Sequence, residues 1–345
     1  MVSEDDASSG SSSEPARAWT VRPYLATDND AWDQLVEISC NGTFLHTRRF
    51  LSHEGDRFED RSLVIEDHRG RLRGVLPSAV DPADPSRVVS HPGLTYGGLV
   101  HDGSIRGEDL FAVFRSVVGH YRDGGYERFW YKCIPMIHHR IPAQDDLYAL
   151  FRLHANRRRC DLSVSINLQD RPRPDRMRRK RQRRAAQHGL VAEWGWGRLE
   201  EFWPVLSENL RARFDVAPTH SLEEMRLLAD LFPSEREIAL VVATLEGAVV
   251  AGGVVFRSLP VVHLQYSAAN DVGKDLGGLD VIVEASIAQA ISEGYRIFDF
   301  GNSNEDGGWG LNSSLYDFKL SFGGGGVAYE QYELDLAEPS RSAEH

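Results

Sequence analysis

One helix-strand unit occurs twice along the chain. An amphipathic stretch over residues 110–121 is followed by glycine and by an aromatic-rich run that begins at Tyr126. The stretch over residues 279–292 is followed by Gly294 and by a similar run that begins at Tyr295, 169 residues after Tyr126. Glycine just beyond an amphipathic stretch is typical of the left-handed residue that ends a helix. The recurrence predicts a duplicated architecture, in which each copy contains a helix that leads into a strand.

A β-hairpin is predicted before each copy of this unit. In the first half, apolar runs within residues 62–77 flank a turn at Gly70, and in the second half apolar runs within residues 238–256 flank a turn at Gly247. Short apolar runs on either side of a glycine-containing turn are typical of hairpins. We therefore predict an α/β (α+β) protein of two tandem domains, residues 18–160 and 161–337, each a mixed twisted sheet flanked by helices.

The composition excludes several other classes of protein. The chain has 345 residues, of which 41% are hydrophobic and 10% aromatic, so it can bury a core and is not collagen-like or disordered. Only residues 1–17 and 338–345 have the polar composition that predicts disordered tails. Because Cys40, Cys133 and Cys160 form no C-x-x-C pair, the chain favours a reducing, cytoplasmic location over a disulfide framework. No signal peptide is recognised and no stretch is apolar enough to predict a membrane span.

Charge is distributed unevenly along the chain. Residues 152–184 contain twelve Arg, Lys180 and three acids, which give a net charge of +10, whereas the whole chain has a net charge of -12. A cationic block in an acidic protein favours an anionic partner such as a phosphate, a nucleotide or RNA. Because the chain has 35 Arg and only 4 Lys, a solvated, arginine-rich helix surface is the other interpretation of this segment.

Three segments resemble a known superfamily of transferases. They are residues 90–99 (SHPGLTYGGL), 298–305 (FDFGNSNE) and 311–323 (LNSSLYDFKLSFG). Together with the duplicated pattern, they are similar to tandem GNAT acyltransferase domains. Within that superfamily they resemble the FemAB-like branch and, more narrowly, uncharacterised bacterial GNAT family N-acetyltransferases. The resemblance covers about residues 20–336.

This resemblance implies an enzyme that transfers an acyl group to an amine. FemAB-like enzymes take an amino acid from aminoacyl-tRNA and ordinary GNAT enzymes take an acyl group from coenzyme A, so either is the implied co-substrate, and no tightly bound cofactor is expected. The basic stretch 176–189 is similar to the helix that opens the second domain of FemAB-like enzymes, which makes tRNA a possible partner. Two features depart from the family. The chain has no room for the long helical hairpin of some FemAB proteins, and residues 274–279 only approximate the acyl-CoA fingerprint.

Direct attack of an amine on a carbonyl requires an oxyanion stabiliser, a base and a proton source, but no covalent intermediate. The resemblance places the pair Phe318 and Lys319 at the donor carbonyl, where the ammonium would stabilise the oxyanion. Glu305 follows a predicted strand and is the candidate general base or amine ligand, and Tyr96 is the candidate acid for the leaving group. Structural roles are the alternatives, because Lys319 could pair with Asp317 at the surface and Tyr96 could pack in a turn.

The remaining candidates bind the donor or the acceptor. A strand, a glycine-rich turn and a helix start follow one another over residues 261–279, an arrangement that binds phosphate through unpaired amides. The candidate donor-binding residues are Phe318, Gln265, Tyr266, Lys274, Gly277, Gly278, Arg179 and Arg183. The candidate acceptor-binding residues are His91, Asp299, Asn302 and His220. Asp299 could instead be a hydrogen-bonded strand residue, and His220 could instead belong to the turn before a capping box that starts at Ser221.

The leading hypothesis is therefore an N-acyltransferase that acts on an amine of a small molecule or of a cell-surface or natural-product precursor. The alternative is a non-catalytic nucleotide- or tRNA-binding protein built on a degenerate GNAT pair. A hydrolase is disfavoured because the sequence has no G-x-S-x-G elbow. No catalytic metal is expected, since no histidine pair has the spacing of metal ligands. The donor, the acceptor and the oligomeric state stay open at this level.

Overall fold

The computed structural model describes residues 19–337, so the predicted disordered tails, 1–17 and 338–345, lie outside the described residues. The helices and strands of the first half are β1 (Thr20–Pro23), α1 (Asn29–Ile38), α2 (Arg48–Leu51), β2 (Leu63–Glu66), β3 (Leu72–Leu76), β4 (Ala79–Asp81), β5 (Asp84–Val89), β6 (Val100–His101), α3 (Glu108–Asp123), β7 (Arg128–Lys132) and α4 (Asp145–Arg152). Those of the second half are β8 (Asn156–Asn167), α5 (Arg176–Gln187), β9 (Val191–Trp194), α6 (Leu199–Phe214), α7 (Leu222–Leu231), β10 (Ile238–Leu245), β11 (Ala248–Ser258), β12 (Val261–Ala269), α8 (Asp271–Leu276), α9 (Gly278–Ser292), β13 (Ile297–Asn302), β14 (Asn304–Glu305), β15 (Gly310–Leu311), α10 (Ser313–Leu320) and β16 (Gly325–Asp335).

The duplicated unit predicted from the sequence is present in both halves. Strands β2 and β3 form an antiparallel hairpin, as do β10 and β11. Helix α3 connects the parallel strands β5 and β7, and helix α9 connects the parallel strands β12 and β13. Parallel neighbours require a crossover connection, which each helix supplies. Each half therefore contains one hairpin and one strand-helix-strand unit.

The two crossover helices end in the same way. Gly125 and Gly294 both adopt left-handed backbone angles, with φ of +86° and +82°. In each cap the amide of the following tyrosine donates a hydrogen bond to a carbonyl five residues earlier, from Tyr126 to Tyr121 and from Tyr295 to Ala290. This is the Schellman arrangement, which favours glycine because its left-handed residue has no Cβ. The predicted glycine caps are confirmed, and they start the two equivalent strands β7 and β13.

Strands of both halves join in one mixed sheet. Ten strands lie in the order β4-β5-β7-β16-β8-β13-β12-β11-β10-β9, and a separate antiparallel sheet has the order β1-β2-β3-β6. The long strands β8 and β16 lie at the centre, where β16 pairs with both β7 and β8. The predicted domain boundary after residue 160 falls inside β8, so the halves meet through a shared strand instead of a linker. The α/β (α+β) fold class, with mixed sheet flanked by helices in each half, is confirmed.

The two halves also share a hydrophobic core. Phe44 of the first half packs edge-on against Phe232 and Phe256 of the second half, with ring centroids 5.4 Å apart in both pairs. Its amide also donates a hydrogen bond to Ser258 Oγ at 3.0 Å. Burial of an aromatic side chain stabilises a fold by about 1.5–3 kcal/mol. These contacts hold the first half against β11 and the segment that follows α7.

No helix within residues 19–337 combines the length and the apolar character that a membrane span requires.

Candidate active site

Strands β12 and β13 separate part-way along their length. They pair in parallel over three residues each, and the pairing ends at His263 and Asp299 although β12 continues to Ala269. Strand β13 also shifts its register against β8 just beyond Asp299, where Gly301 adopts a φ of +74°. Beyond His263, one edge of β12 therefore has no partner strand. This edge faces a cleft of about 940 Å³.

Eight of the predicted site residues line this cleft. They are Gln265, Tyr266, Lys274, Gly277, Asn302, Glu305, Phe318 and Lys319. The seven others lie outside its lining: Tyr96, Gly278, Arg179, Arg183, His91, Asp299 and His220. Residues that the sequence analysis did not select also line it, among them His263, Arg181, Thr95 and Asp280.

Lys319 holds its ammonium group at the point where the strands separate. It lies in the last turn of α10, a helix that begins where the Asn312 side chain accepts a hydrogen bond from the Leu315 amide. Its Nζ donates to the carbonyl oxygens of Gly301 and Asn302, both at 2.7 Å. An ammonium has three N–H groups, so one is left to face the cleft. Asp317, the expected alternative partner, forms no ion pair with Lys319 among the described residues.

Burial changes the acidity of this ammonium. Lys319 is only 6% exposed. Burial lowers the pKa of Lys319 to about 8, and the opposing attraction of the Asp299 carboxylate is the smaller effect. The positive charge of Lys319 lies where β12 and β13 separate, a point that we call the fork of the cleft. It is therefore present at neutral pH and is lost in mildly alkaline solution.

Asp299 is fully buried at the base of the cleft, beside its cross-strand neighbours. Its Oδ1 accepts hydrogen bonds from Ser163 Oγ at 2.6 Å and Ser165 Oγ at 2.5 Å. Its Oδ2 accepts from His263 Nδ1 at 2.6 Å, Tyr329 Oη at 3.0 Å and the Gly301 amide at 3.2 Å. Burial acts to raise the pKa of Asp299, but the hydrogen bonds from His263 and the two serines, with the charge of His263, outweigh it and lower the pKa well below its usual range.

This burial corrects the predicted role of Asp299. A carboxylate with no exposed surface and five donors cannot touch an acceptor amine, so the hydrogen-bonded alternative is the one that the structure has. Its side chain instead fixes the His263 ring, which lines the cleft.

A buried polar chain leads from Asp299 into the first half. The Tyr329 hydroxyl lies 3.2 Å from His138 Nε2, and His138 Nδ1 lies 3.4 Å from the Tyr96 hydroxyl. Burial lowers the pKa of His138 to about 3 and raises that of the Tyr96 phenol. Both groups are therefore neutral at pH 7 and act as hydrogen-bond partners.

Tyr96 was predicted to be the acid for the leaving group and His91 to bind the acceptor, but both side chains are buried away from the cleft. Tyr96 is 5% and His91 7% exposed, and neither lines the cleft. Their segment still reaches it, because Thr95 is part of the lining. Tyr96 therefore packs in a turn, and the residue of this loop that meets the cleft is its neighbour.

Gln265 and Tyr266 both line the cleft, although consecutive residues of a strand usually point to opposite faces. The register of β12 against β11 shifts here, which makes Gln265 an extra residue in the ladder. The Tyr266 hydroxyl lies 2.6 Å from His220 Nδ1, and burial raises the pKa of this phenol. His220 itself is buried outside the lining, where its ring contacts the Tyr266 hydroxyl. The capping box after it is confirmed, since Ser221 and Glu224 exchange both hydrogen bonds.

The glycine-rich turn predicted over residues 271–278 is largely a helix. Asn270 accepts a hydrogen bond from the Gly273 amide and begins α8, which runs to Leu276. Gly277 then adopts a φ of +87° and separates α8 from α9. A Cβ on Gly278 would lie 2.8 Å from the Ala251 side chain, so this glycine serves close packing against β11.

The N-terminus of α9 already holds an anion. Asp280 lies in its first turn, is 1% exposed, and accepts a hydrogen bond from Arg178 Nη1 at 2.8 Å. Arg178 also donates to Ser321 Oγ and stacks on Phe318 and Phe322 at 4.5 and 4.3 Å from their ring centroids. Burial raises the pKa of Asp280 more than the attraction of Arg178 lowers it. The ion pair between Arg178 and Asp280 therefore holds α5 against the first turn of α9.

The basic segment divides into paired and unpaired cations. Six arginines form ion pairs with acids: Arg152, Arg157, Arg158, Arg159, Arg171 and Arg178. Within residues 19–337, no ion pair involves Arg173, Arg176, Arg179, Lys180, Arg181, Arg183 or Arg184. We call these seven residues the cationic face. Most of the face is exposed, and Arg181 joins it to the cleft.

Glu305 is exposed at the mouth of the cleft. It ends β14 and accepts a hydrogen bond from Asn312 Nδ2 at 2.7 Å. Its carboxylate is therefore available to a cationic amine that approaches from solvent. Across the described part of the chain, no group of three or more His, Cys, Asp or Glu side chains is placed to hold a metal ion.

Comparison with known proteins identifies the half of the chain that forms this cleft. Residues 171–319 match the family model of the acetyltransferase (GNAT) domain. The second half therefore resembles a GNAT domain. Its α9 is the helix that crosses between the two diverging strands, and Lys319 is the last residue of the match. A comparison with curated protein sequences found no match.

Solved structures extend the likeness of the GNAT domain to the whole fold. The structure of FemX is 12% identical, with a TM-score of 0.67, over 92% of this chain and 97% of FemX. The C-terminal domain of a putative lysylphosphatidylglycerol synthetase from Agrobacterium fabrum is 12% identical, with a TM-score of 0.58, over 89% of this chain and 92% of that domain. A tandem GNAT protein from the clavulanic acid biosynthesis pathway is 12% identical, with a TM-score of 0.53, over 93% and 100%. The predicted FemAB-like, tandem GNAT fold is confirmed.

Proposed function

We propose that the protein is an N-acyltransferase that joins an activated aminoacyl or acyl group to an amine in the cleft between β12 and β13. The observation that carries the proposal is the Lys319 ammonium, which is held by two carbonyl groups at the fork of a GNAT cleft and keeps one N–H group for a ligand. A fixed cation in a partly enclosed site stabilises negative charge far more than it would in water.

The reaction needs no covalent enzyme intermediate. The amine nitrogen attacks the donor carbonyl carbon, a C–N bond forms, and the carbonyl electron pair moves to the oxygen beside Lys319. The tetrahedral intermediate then collapses, the C–O or C–S bond to the donor breaks, and the leaving oxygen or sulfur takes up a proton while the nitrogen loses one. Glu305 at the mouth of the cleft would attract the acceptor as its ammonium form, which releases a proton to solvent before the neutral amine attacks.

Three observations favour aminoacyl-tRNA over acyl-CoA as the donor. The cationic face adjoins the cleft at Arg181, where it would contact the phosphates of an RNA. At the start of α9, where helix amides could bind the pyrophosphate of coenzyme A, the buried Asp280 carboxylate lies in the first turn and would repel that anion, although its charge is paired with Arg178 of α5. A neighbour of the same fold is a putative lysylphosphatidylglycerol synthetase, a name that describes an aminoacylated product. With this donor, the reaction would take place in the cytoplasm, where charged tRNA is made.

The donor is tested by binding. Uncharged and charged bacterial tRNA, acetyl-CoA and longer acyl-CoAs are added to the protein, and its melting temperature is measured. A ligand at 100 times its Kd stabilises the fold by about 2.7 kcal/mol, which raises Tm by a few degrees. We expect the rise with charged tRNA. A rise with an acyl-CoA alone would assign the donor to the acyl-CoA branch, and no rise with any donor would contradict the enzyme proposal.

Charge reversal on the cationic face should weaken tRNA binding. The double variant Arg179→Glu with Arg183→Glu removes two phosphate contacts, so the slope of log Kobs against log salt should fall in magnitude by about 1–2. Filter binding of tRNA between low and moderate salt measures this slope. Arg115→Glu, on the exposed side of α3, is the matched control and should leave the slope unchanged. Equal slopes in the wild type and in the double variant would show that tRNA does not use this face.

The pH dependence follows from the acidity of Lys319. Because the pKa of Lys319 is lowered to about 8 and the charged form is the active one, kcat should fall as the pH rises through about 8. Rates of amide formation between pH 6 and 10, corrected for spontaneous ester hydrolysis, measure this fall. In Lys319→Arg the fall should move to higher pH, because a guanidinium keeps its proton. A wild-type rate that keeps rising to pH 10 would contradict the assignment.

The non-catalytic alternative makes a different prediction for the same residue. If the cleft only binds a nucleotide or tRNA, Lys319→Ala changes affinity and there is no turnover to lose. If the chain is an enzyme, Lys319→Ala loses turnover while tRNA binding to the cationic face persists.

A further inference from the structure

A histidine and a buried aspartate form a pair at the fork of the cleft. His263 is the last residue of β12 that pairs with β13, and its partner in that register is Asp299. The imidazole Nδ1 lies 2.6 Å from Asp299 Oδ2, and the His263 side chain is 14% exposed whereas that of Asp299 is fully buried. One ring nitrogen of His263 therefore contacts the Asp299 carboxylate, and part of the ring is exposed to the cleft.

The carboxylate is held in one orientation. Ser163 and Ser165 donate to Oδ1, and Tyr329 and the Gly301 amide donate to Oδ2, beside the bond from His263. With both oxygens fixed, Nδ1 carries the proton in the neutral ring, and Nε2 carries the lone pair. Among the described residues no protein group hydrogen-bonds to His263 Nε2.

The ring lies next to the cation of the proposed oxyanion site. A Cβ on Gly301 would lie 3.2 Å from His263 Cε1, so the absence of a side chain at Gly301 lets the imidazole approach. The carbonyl of the same glycine accepts the hydrogen bond from Lys319 Nζ at 2.7 Å. Gly301 thus lies next to both the imidazole and the ammonium. A base and an oxyanion stabiliser that adjoin the same residue can act on one tetrahedral centre.

We propose that His263 is the general base of the transfer reaction and that Asp299 is its positioning residue; this rests on the proposed function. His263 Nε2 removes a proton from the amine nitrogen as the C–N bond forms, and Asp299 stabilises the imidazolium. The same proton then passes from Nε2 to the leaving oxygen of the donor as the C–O bond breaks. The products are an amide and a free hydroxyl on the tRNA, and the imidazole returns neutral.

The charged and titratable groups around the ring come from four elements. They are Asp299 on β13, Tyr329 on β16, Lys319 on α10 and His138 in the turn before α4. On β11 the residue opposite His263 is Phe256, which carries no charge. His138 and Tyr329 stay neutral because burial lowers the pKa of the histidine and raises that of the phenol. The remaining groups at the fork are His263, whose Nε2 would act as the base, and Lys319, whose ammonium would stabilise the oxyanion.

The test is the pH profile of His263→Gln beside that of His68→Gln, an exposed histidine of the first half. Charged tRNA is the donor and glycinamide is the amine probe. We expect the wild-type rate and profile in His68→Gln, and a loss of about 100- to 10,000-fold in His263→Gln, whose fall in rate at alkaline pH, set by Lys319, remains. Added imidazole should restore part of the rate in His263→Ala. Unchanged rate and profile in His263→Gln, with an active wild type, would overturn the inference but not the proposed function.

A second measurement needs no substrate. Two-bond proton-nitrogen spectra of protein labelled with 15N-histidine report which ring nitrogen carries the proton, and the His263 signals are identified by their loss in His263→Gln. We expect the Nδ1-protonated form in the wild type and a change of form in Asp299→Asn, once circular dichroism has confirmed that this variant folds. An Nε2-protonated ring in the wild type would overturn the inference. An Nδ1-protonated ring in a protein that transfers nothing to glycinamide would instead contradict the proposed function.

Discussion

Lys319→Met should lower the rate of amide formation by about 100- to 1,000-fold, the usual effect of removing one oxyanion-stabilising donor. Methionine keeps the length and the apolar stem of lysine but cannot donate to the carbonyl groups of Gly301 and Asn302 or to a ligand. The loss should appear in kcat and not in KM, because the negative charge on the carbonyl oxygen exists only in the transition state. Single-turnover assays with charged tRNA measure it.

Two controls separate the charge from the fold. Lys319→Gln keeps a hydrogen-bond donor without the charge, and it should recover little of the rate if the charge is what matters. Arg115→Met removes an exposed cation on α3, away from the cleft, and should leave the rate unchanged. Thermal unfolding of each variant checks that the fold persists. A folded Lys319→Met protein with wild-type kcat would contradict the role of this residue.

Arg178→Ala should lower the free energy of unfolding by about 3–5 kcal/mol, because it leaves a buried carboxylate without its partner. Asp280 is 1% exposed, and its counter-charge comes from Arg178 at 2.8 Å. The variant also loses the stacking of the guanidinium on Phe318 and Phe322. Denaturant unfolding measures the effect, which should be large because α5 is fastened to α9 at this point.

Neighbouring arginines supply the control for this prediction. Arg183 lies one to two turns further along α5 on its exposed side, so Arg183→Ala should change stability by no more than about 0.5 kcal/mol. The double variant Arg178→Met with Asp280→Leu should recover much of the loss, since an apolar pair of similar size has no unpaired charge to bury. Equal stabilities of Arg178→Ala and Arg183→Ala would mean that the ion pair does not fasten the helix.

Local features of the fold could be predicted from the sequence because their causes are local. The caps at Gly125 and Gly294 depend on glycine at a left-handed position, and the hairpins depend on their turn residues, so both are visible in a short window. The single ten-stranded sheet could not be predicted in this way. It exists because β16, at the end of the chain, pairs with β7 and β8, and no local pattern encodes such a distant pairing.

Site residues could be predicted from the sequence where their residue type is rare in this chain. Lys319, one of four lysines, does lie at the cleft. The partnership of His263 with Asp299 was missed because it depends on the register between two strands, although polar residues at 263, 265 and 267 that alternate with apolar ones were a usable signal. Tyr96 was a predicted site residue, whereas its neighbour Thr95 is the residue of this loop that lines the cleft.

The basic segment shows a different limit of sequence reasoning. Its net charge of +10 counts arginines that the fold neutralises, such as Arg157 and Arg158, which pair with Glu330 and Glu333 on the neighbouring strand. Arg178 has the same chemistry as its neighbours, yet it is buried as part of a helix face that also includes Ala185. In the sequence, the only indication of this buried face was that uncharged residues of α5, such as Ala185, recur at helical spacing.

The most direct test of the account is a crystal structure of the protein with a stable amide analogue of the aminoacyl-adenosine end of charged tRNA. We expect the aminoacyl group to enter the cleft between β12 and β13, with its carbonyl oxygen about 2.7–3.1 Å from Lys319 Nζ. An analogue that binds elsewhere, or that turns its carbonyl away from this ammonium, would contradict the account.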